Sequence, residues 1–188
     1  MQAGSRARAG PQRGEGEDRV SGCGRGVRPR LYGRGEGALI SVKVLVKRLA
    51  NFPEAWDLPR YGTEGSAAVD LRNAGETVII PPLGRHLIPT GLAFALPADM
   101  EAQVRPRSGL ALNRGISIIN TPCTIDSDYR GELRIPLINF DREPQEIAHG
   151  ERIAQLLIAR VVRIDWQETD SLPESERGHG GFGSTGRS

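Results

Sequence analysis

Residues 152–162 read RIAQLLIARVV, and whether this run is a helix or a strand decides the fold. It is apolar almost throughout, so periodicity alone admits a buried helix or a buried strand. Its β-branched residues and its neighbourhood favour the strand, because such side chains pack well on a pleated surface. Period-two alternation recurs upstream at Ile40, Val42, Val44 and Val46, at Leu92, Phe94 and Leu96, at Met100, Ala102 and Val104, and at Leu133, Ile135 and Leu137. Short strands are also expected within GSAAVDLR (65–72), with Asp70 embedded, and at 78–80 and 116–119. Many short strands, with 11 prolines after residue 40 in the turns, predict an antiparallel all-β sandwich or barrel. Only PRSGLALNRG (106–115) breaks the alternation, and it predicts one short helix ended by Gly115. Gln155 is polar inside the apolar run, so its amide must find partners: a core hydrogen bond or a site that it lines.

The chain has 188 residues, enough for one domain with its own core. Its formal charge is only +2, which gives no global field for nucleic acid or an acidic membrane. Residues 1–37 hold ten Gly and eight Arg with almost no apolar periodicity. Such a segment cannot bury enough surface to offset its ordering entropy, so it is expected to be a disordered extension. The β-rich domain is expected over 38–172, followed by a mobile arm at 173–188. Two cysteines, Cys23 in the leader and Cys123, fit a reducing cytoplasm rather than a disulfide framework. No apolar run approaches a membrane span, and no secretory signal core is present.

Polar chemistry concentrates at NTPCTIDSDYRGELRIPLINF (120–140). Alternating flanks predict a β-hairpin whose turn carries Asp126, Asp128, Tyr129 and Arg130 beside Gly131. A carboxylate beside an aromatic can act as a general base on water, although Asp and Gly also serve simply to reverse a chain. Arg107-Ser108-Gly109 at the helix start offers backbone N–H groups, a hydroxyl and a guanidinium to an anion, or else a plain Ser cap with a surface Arg. The tail RGHGGFGSTG (177–186) offers a glycine-rich backbone with Arg177, Ser184 and Thr185, and Phe182 suits stacking on a base. It is not a P-loop, since no GK[ST] follows. The histidines and cysteines show no zinc spacing.

Taken in order, these stretches resemble the five motifs of the trimeric dUTP diphosphatases (dUTPases): GSAAVDL (65–71), PRSGLAL (106–112), NTPCTIDSDYRGEL (120–133), ERIAQLL (151–157) and RGHGGFGSTG (177–186). The resemblance covers about 38–188 and implies a distorted jelly roll, a β-clip-like barrel with one short helix, assembled as a homotrimer. It implies hydrolysis of dUTP to dUMP and pyrophosphate by water attack at the α-phosphorus with Mg²⁺, in the cytoplasm, limiting uracil in DNA and supplying dUMP for thymidylate. On that resemblance Asp126 would deprotonate the water. Asn120, Thr124 and Ile125 would read the uracil edge, and Tyr129 would pack under the deoxyribose. Arg107, Ser108, Gly109 and Gln155 of a neighbouring subunit would hold phosphates. The tail of a third would close the site with Arg177, Phe182, Gly183, Ser184 and Thr185. Arg134 joins the substrate set, and Asp70 would touch Mg²⁺ through water. No nucleic-acid or membrane partner is implied.

Two positions depart from the family pattern. Cys123 and Ala68 stand where Gly is usual. A Cys held at positive φ would be strained, and a thiol near the pocket would make activity sensitive to oxidation. The related dCTP deaminases need a glutamate in the strand after the loop, where this chain has Leu133-Arg134-Ile135-Pro136. A non-enzymatic nucleotide sensor is the reading from another class, and retention of Asp126, Tyr129, Arg177 and Phe182 speaks against it.

Overall fold

The computed structural model describes residues 41–181. Eleven strands and one helix follow in order: β1 Leu45–Arg48, β2 Val69–Arg72, β3 Val78–Ile80, β4 Arg85–Pro89, β5 Leu92–Ala95, β6 Met100–Pro106, α1 Ser108–Arg114, β7 Ile116–Ile118, β8 Cys123–Ile125, β9 Arg134–Asn139, β10 Gln145–Ile147 and β11 Arg152–Arg160. All pairings between these strands are antiparallel: β1 with β5, β10 with β3, a four-stranded sheet β2-β11-β6-β8 and a three-stranded sheet β4-β9-β7. The fold is thus all-β with one short helix, as the alternation predicts. The leader and residues 182–188 lie outside the described residues, and with them the expectations for 1–37 and for Phe182, Gly183, Ser184 and Thr185.

The run at 152–162 is a strand, and its position explains its composition. β11 lies between β2 and β6, so both its edges are hydrogen-bonded. Ile153 and Ala154 enter the main core with Leu71, Val104, Ile116, Ile118, Leu133, Ile135, Leu137 and Ile147. β6 shows the alternation cleanly. Met100, Ala102 and Val104 are buried, while Glu101, Gln103 and Arg105 face outward and form a ladder, Arg105 donating to Gln103 and Gln103 to Glu101 at 2.7 Å each. In α1, Arg107 takes the extended cap position and Gly115 ends the helix at φ 61°. A Cβ at Gly115 would also press on the Asp141 backbone, so glycine is required twice over.

Three expectations need correction. The alternation at 40–46 predicts a strand with one buried face, but β1 begins only at Leu45 and is exposed along its length. Val42 and Val44 instead pack, ahead of the strand, on Leu96, Met100 and Ala102. Residues 120–140 are not a hairpin with paired flanks. β8 joins β6, whereas β9 joins β4 and β7. The strands that close the loop are β7 and β9, with Ile116 opposite Asn139 and Ile118 opposite Leu137. Alternation marks a strand but does not name its partner.

The third correction is Cys123. Among the described non-glycine residues only Leu83 has a positive φ, so Cys123 carries no left-handed strain. It lies in β8 opposite Val104 and is 6% exposed. The side chain is core packing, and burial shields the thiol. Alkylating reagents are therefore expected to leave native activity unchanged, as a titration of modified thiols against turnover would show. Cys123→Gly is expected to cost about 1–3 kcal/mol in a denaturation curve, since it empties a core site and loosens a strand.

Candidate active site

The acidic loop is stiff at both ends. Upstream, β8 fixes it: Thr124 and Ile125 pair with Gln103 and Ala102 on β6. Within the loop, Tyr129 N–H donates to Asp126 O at 3.2 Å. Arg130 Nη1 donates to Ser127 O at 2.6 Å and Tyr129 O at 2.8 Å. These bonds hold the turn and leave the Asp126 carboxylate exposed, without a hydrogen-bond partner among the described residues. Asn120 and Thr124 are also exposed, and Ile125 is half-buried. The Tyr129 ring folds back over Gly131, where a Cβ would sit 2.7 Å from Tyr129 Cζ. Only glycine permits that approach, and it leaves the ring 45% exposed on its outer side.

Downstream, Glu132 does work that the sequence does not announce. Its Oε1 accepts from Asn51 Nδ2 at 2.8 Å and from Gly91 N–H at 2.9 Å, and its Oε2 from Arg134 Nε at 2.8 Å. Its carbonyl accepts the Tyr129 hydroxyl at 2.9 Å. Arg134, expected among the substrate contacts, is thus held in an ion pair with Glu132. Burial raises the Glu132 pKa, but hydrogen bonds from Asn51, Arg134 and Gly91 and attraction to Arg134 outweigh it, so the net shift is downward from 4.5. A depressed folded pKa adds stability above the unfolded value, and that stability is lost as pH falls through the folded one. Between about pH 6 and about pH 3 the wild type is therefore expected to lose more Tm than Glu132→Gln does, as thermal melts would show.

A second cluster gathers on the face of the four-stranded sheet. Asp70 on β2, Gln155 on β11 and Arg105 on β6 stand in one row across the strands. Arg107 Nε donates to Asp70 Oδ1 and Arg152 Nη1 to Asp70 Oδ2, each at 3.1 Å. Arg107 Nη1 also donates to Arg152 O at 3.1 Å. Ser108 and Gly109 open the exposed first turn of α1. Asp70, Gln155, Arg152 and Ala68 line a cleft of about 470 Å³ together with Trp56 and Arg60. Gln155 is therefore half-buried at the edge of a cavity rather than a fully enclosed core amide. Arg152 carries no signal in the sequence, because an arginine opening a strand looks like any surface charge. In the tail, Arg177 Nε donates to Gly180 O at 2.7 Å and is exposed.

No side-chain hydrogen bond or ion pair among the described residues joins these two clusters. No residue of 120–134 lines the cleft beside Asp70 and Gln155. No group of three or more His, Cys, Asp or Glu side chains converges on a common point among the described residues. No described helix is long and apolar enough to cross a membrane.

Comparison with known proteins gives one consistent result. A family model for dUTPase matches residues 54–186. The deoxyuridine 5′-triphosphate nucleotidohydrolase of Beijerinckia indica is 52% identical over 147 residues, covering 77% of this chain and 91% of that protein. The enzyme of the same name from Anaeromyxobacter is 51% identical over 146 residues, covering 78% and 99%. A structure of the dUTPase of Staphylococcus bacteriophage 80alpha with dUPNHPP superposes with a TM-score of 0.67 at 26% identity, covering 78% of this chain and 100% of that one.

Proposed function

The chain belongs to the dUTPase family and is a dUTP diphosphatase, and from that premise we propose how its residues divide the work. The observation that carries the proposal is the separation of the two clusters. A stiff loop with a free carboxylate and a half-exposed tyrosine suits a nucleoside and an attacking water. An arginine-rich row around Asp70 suits phosphates. On this reading the complete site is assembled between copies, and the homotrimer that the family resemblance implies supplies them.

In this reading the main chain at Thr124 and Ile125, with Asn120, reads the uracil edge, and Tyr129 supports the deoxyribose. Asp126 takes the proton of the water that attacks the α-phosphorus, and pyrophosphate leaves against Arg107, Ser108, Gly109 and Gln155. Proximity and charge stabilisation provide most of the barrier reduction in such a displacement. Arg177 and the segment with Phe182, Gly183, Ser184 and Thr185 close over the substrate and exclude bulk water. The residues present fit Mg²⁺ held by triphosphate oxygens and water rather than by a protein cage. Both Asp70 oxygens already accept from arginine, and their remaining lone pairs would accept from a water of the ion's shell. When bound, Mg²⁺ supplies charge neutralisation on the phosphates. A cytoplasmic enzyme of this kind limits uracil incorporation into DNA and supplies dUMP.

Pyrophosphate release from dUTP, dCTP and dTTP, with Mg²⁺ and then with chelator, tests the reading together with a native mass. Release confined to dUTP, its loss on chelation, and a threefold mass are expected. A fully active monomer would overturn the shared site.

A further inference from the structure

We infer that Glu132 is a positioning residue that sets how sharply the Tyr129 loop discriminates deoxyribose from ribose. The inference rests on the reading in which Tyr129 supports the sugar. Between Asp126 and Gly131 the side-chain hydrogen bonds are local: Arg130 holds the carbonyls of Ser127 and Tyr129. They shape the turn but do not tie it to the domain. The tyrosine's outer end is hinged on the carbonyl of residue 132. The carboxylate of that same residue is pinned to the loop after β1 through Asn51, to the turn between β4 and β5 through Gly91, and to β9 through Arg134. The side chain is only 11% exposed. The ring's distance from the sugar is thus referred to three separate parts of the scaffold through one carboxylate, alongside the main-chain bond from Leu133 N–H to Leu92 O at 2.8 Å that holds the same peptide.

Asp126 lies at the other end of the loop and is located by β8 on β6. Loosening Glu132 therefore frees the ring more than the base. Room for a 2′-hydroxyl opens, and UTP gains more than dUTP loses. General loss of folded protein would lower turnover of both substrates alike, so their ratio separates positioning from stability.

The test measures kcat/KM for dUTP and UTP in the full-length protein and in Glu132→Ala, Glu132→Gln, Asn51→Ala and Tyr129→Ala, below the melting temperature of each. Glu132→Ala is expected to narrow the dUTP/UTP ratio by about 10- to 100-fold, the scale of effect from a misplacement near 1 Å. Glu132→Gln keeps an oxygen for Asn51 and Gly91 and is expected to retain most of the discrimination. Asn51→Ala removes one tie and is expected to narrow the ratio less, which keeps the test open if Glu132→Ala does not fold. If Tyr129→Ala narrows the ratio while Glu132→Ala, or Asn51→Ala in its place, leaves it unchanged, the role of Glu132 is overturned and that of Tyr129 stands. If Tyr129→Ala leaves the ratio unchanged, the sugar reading fails and takes this inference with it.

Discussion

Asp126→Asn is expected to abolish pyrophosphate release from dUTP while leaving dUTP binding largely intact. The two side chains have nearly the same shape, but an amide cannot accept the proton of the attacking water. Positioned general bases contribute roughly 10²–10⁴ in rate, so the loss is expected on that scale or larger. Binding survives because the loop does not use the Asp126 carboxylate to hold its shape. The main-chain carbonyl of Asp126 accepts from Tyr129, and Arg130 braces the turn through Ser127 O and Tyr129 O. Removing a negative charge near a triphosphate does not weaken attraction for it. Turnover followed by pyrophosphate release, and calorimetric titration with a non-hydrolysable dUTP analogue, check the two halves separately. Wild-type turnover would remove Asp126 from the mechanism. Loss of binding together with turnover would make it a substrate contact instead.

The sequence shows what each strand is and not what it pairs with. Alternation located β6 and β9, and β-branched content identified β11, because burial on one or both faces is written into neighbouring residues. Gly115 likewise marks the end of α1, and the structure gives it the left-handed φ that favours glycine. Register and partner choice depend on residues far apart in the chain. That is why 120–140 looked like a hairpin although its two flanks lie in different sheets, and why Val42 and Val44 looked like part of β1. The same limit governs the site. Asp126 and Tyr129 are legible because they sit in one stretch. Asp70, Arg107 and Gln155 come from three, and their meeting on one sheet face follows from β2 and β6 flanking β11. Glu132 is not legible in the sequence because its partners, Asn51 and Gly91, are 81 and 41 residues away. Whether Cys123 needs a positive φ is not legible in the sequence, because nothing local shows that β8 extends to it.

Arg107→Ala is expected to lower kcat/KM for dUTP by about 10²-fold, while weakening deoxyuridine hardly at all. A hydrogen bond to a charged group contributes about 1.5–3 kcal/mol, so losing one or two on a phosphate gives an effect of that order. The geometry says why arginine is needed here. Arg107 occupies the extended cap position of α1, with Nε on Asp70 and Nη1 on the carbonyl of Arg152. Those two contacts fix the plane of the guanidinium and use one edge of it, leaving further N–H donors for a ligand. Lysine at this position keeps the charge but cannot brace itself and bind at the same time, so Arg107→Lys is expected to recover only part of the loss. Asp70→Asn removes the charge that holds both Arg107 and Arg152 while keeping an acceptor oxygen, and a smaller loss is expected. Comparing kcat/KM for dUTP with the binding of deoxyuridine separates the phosphate effect from any distortion of the nucleoside loop. If Arg107→Ala turned over dUTP normally, the guanidinium would be a brace between β2 and β11 and nothing more, and the phosphates would have to be held by the first turn of α1 and Gln155 alone.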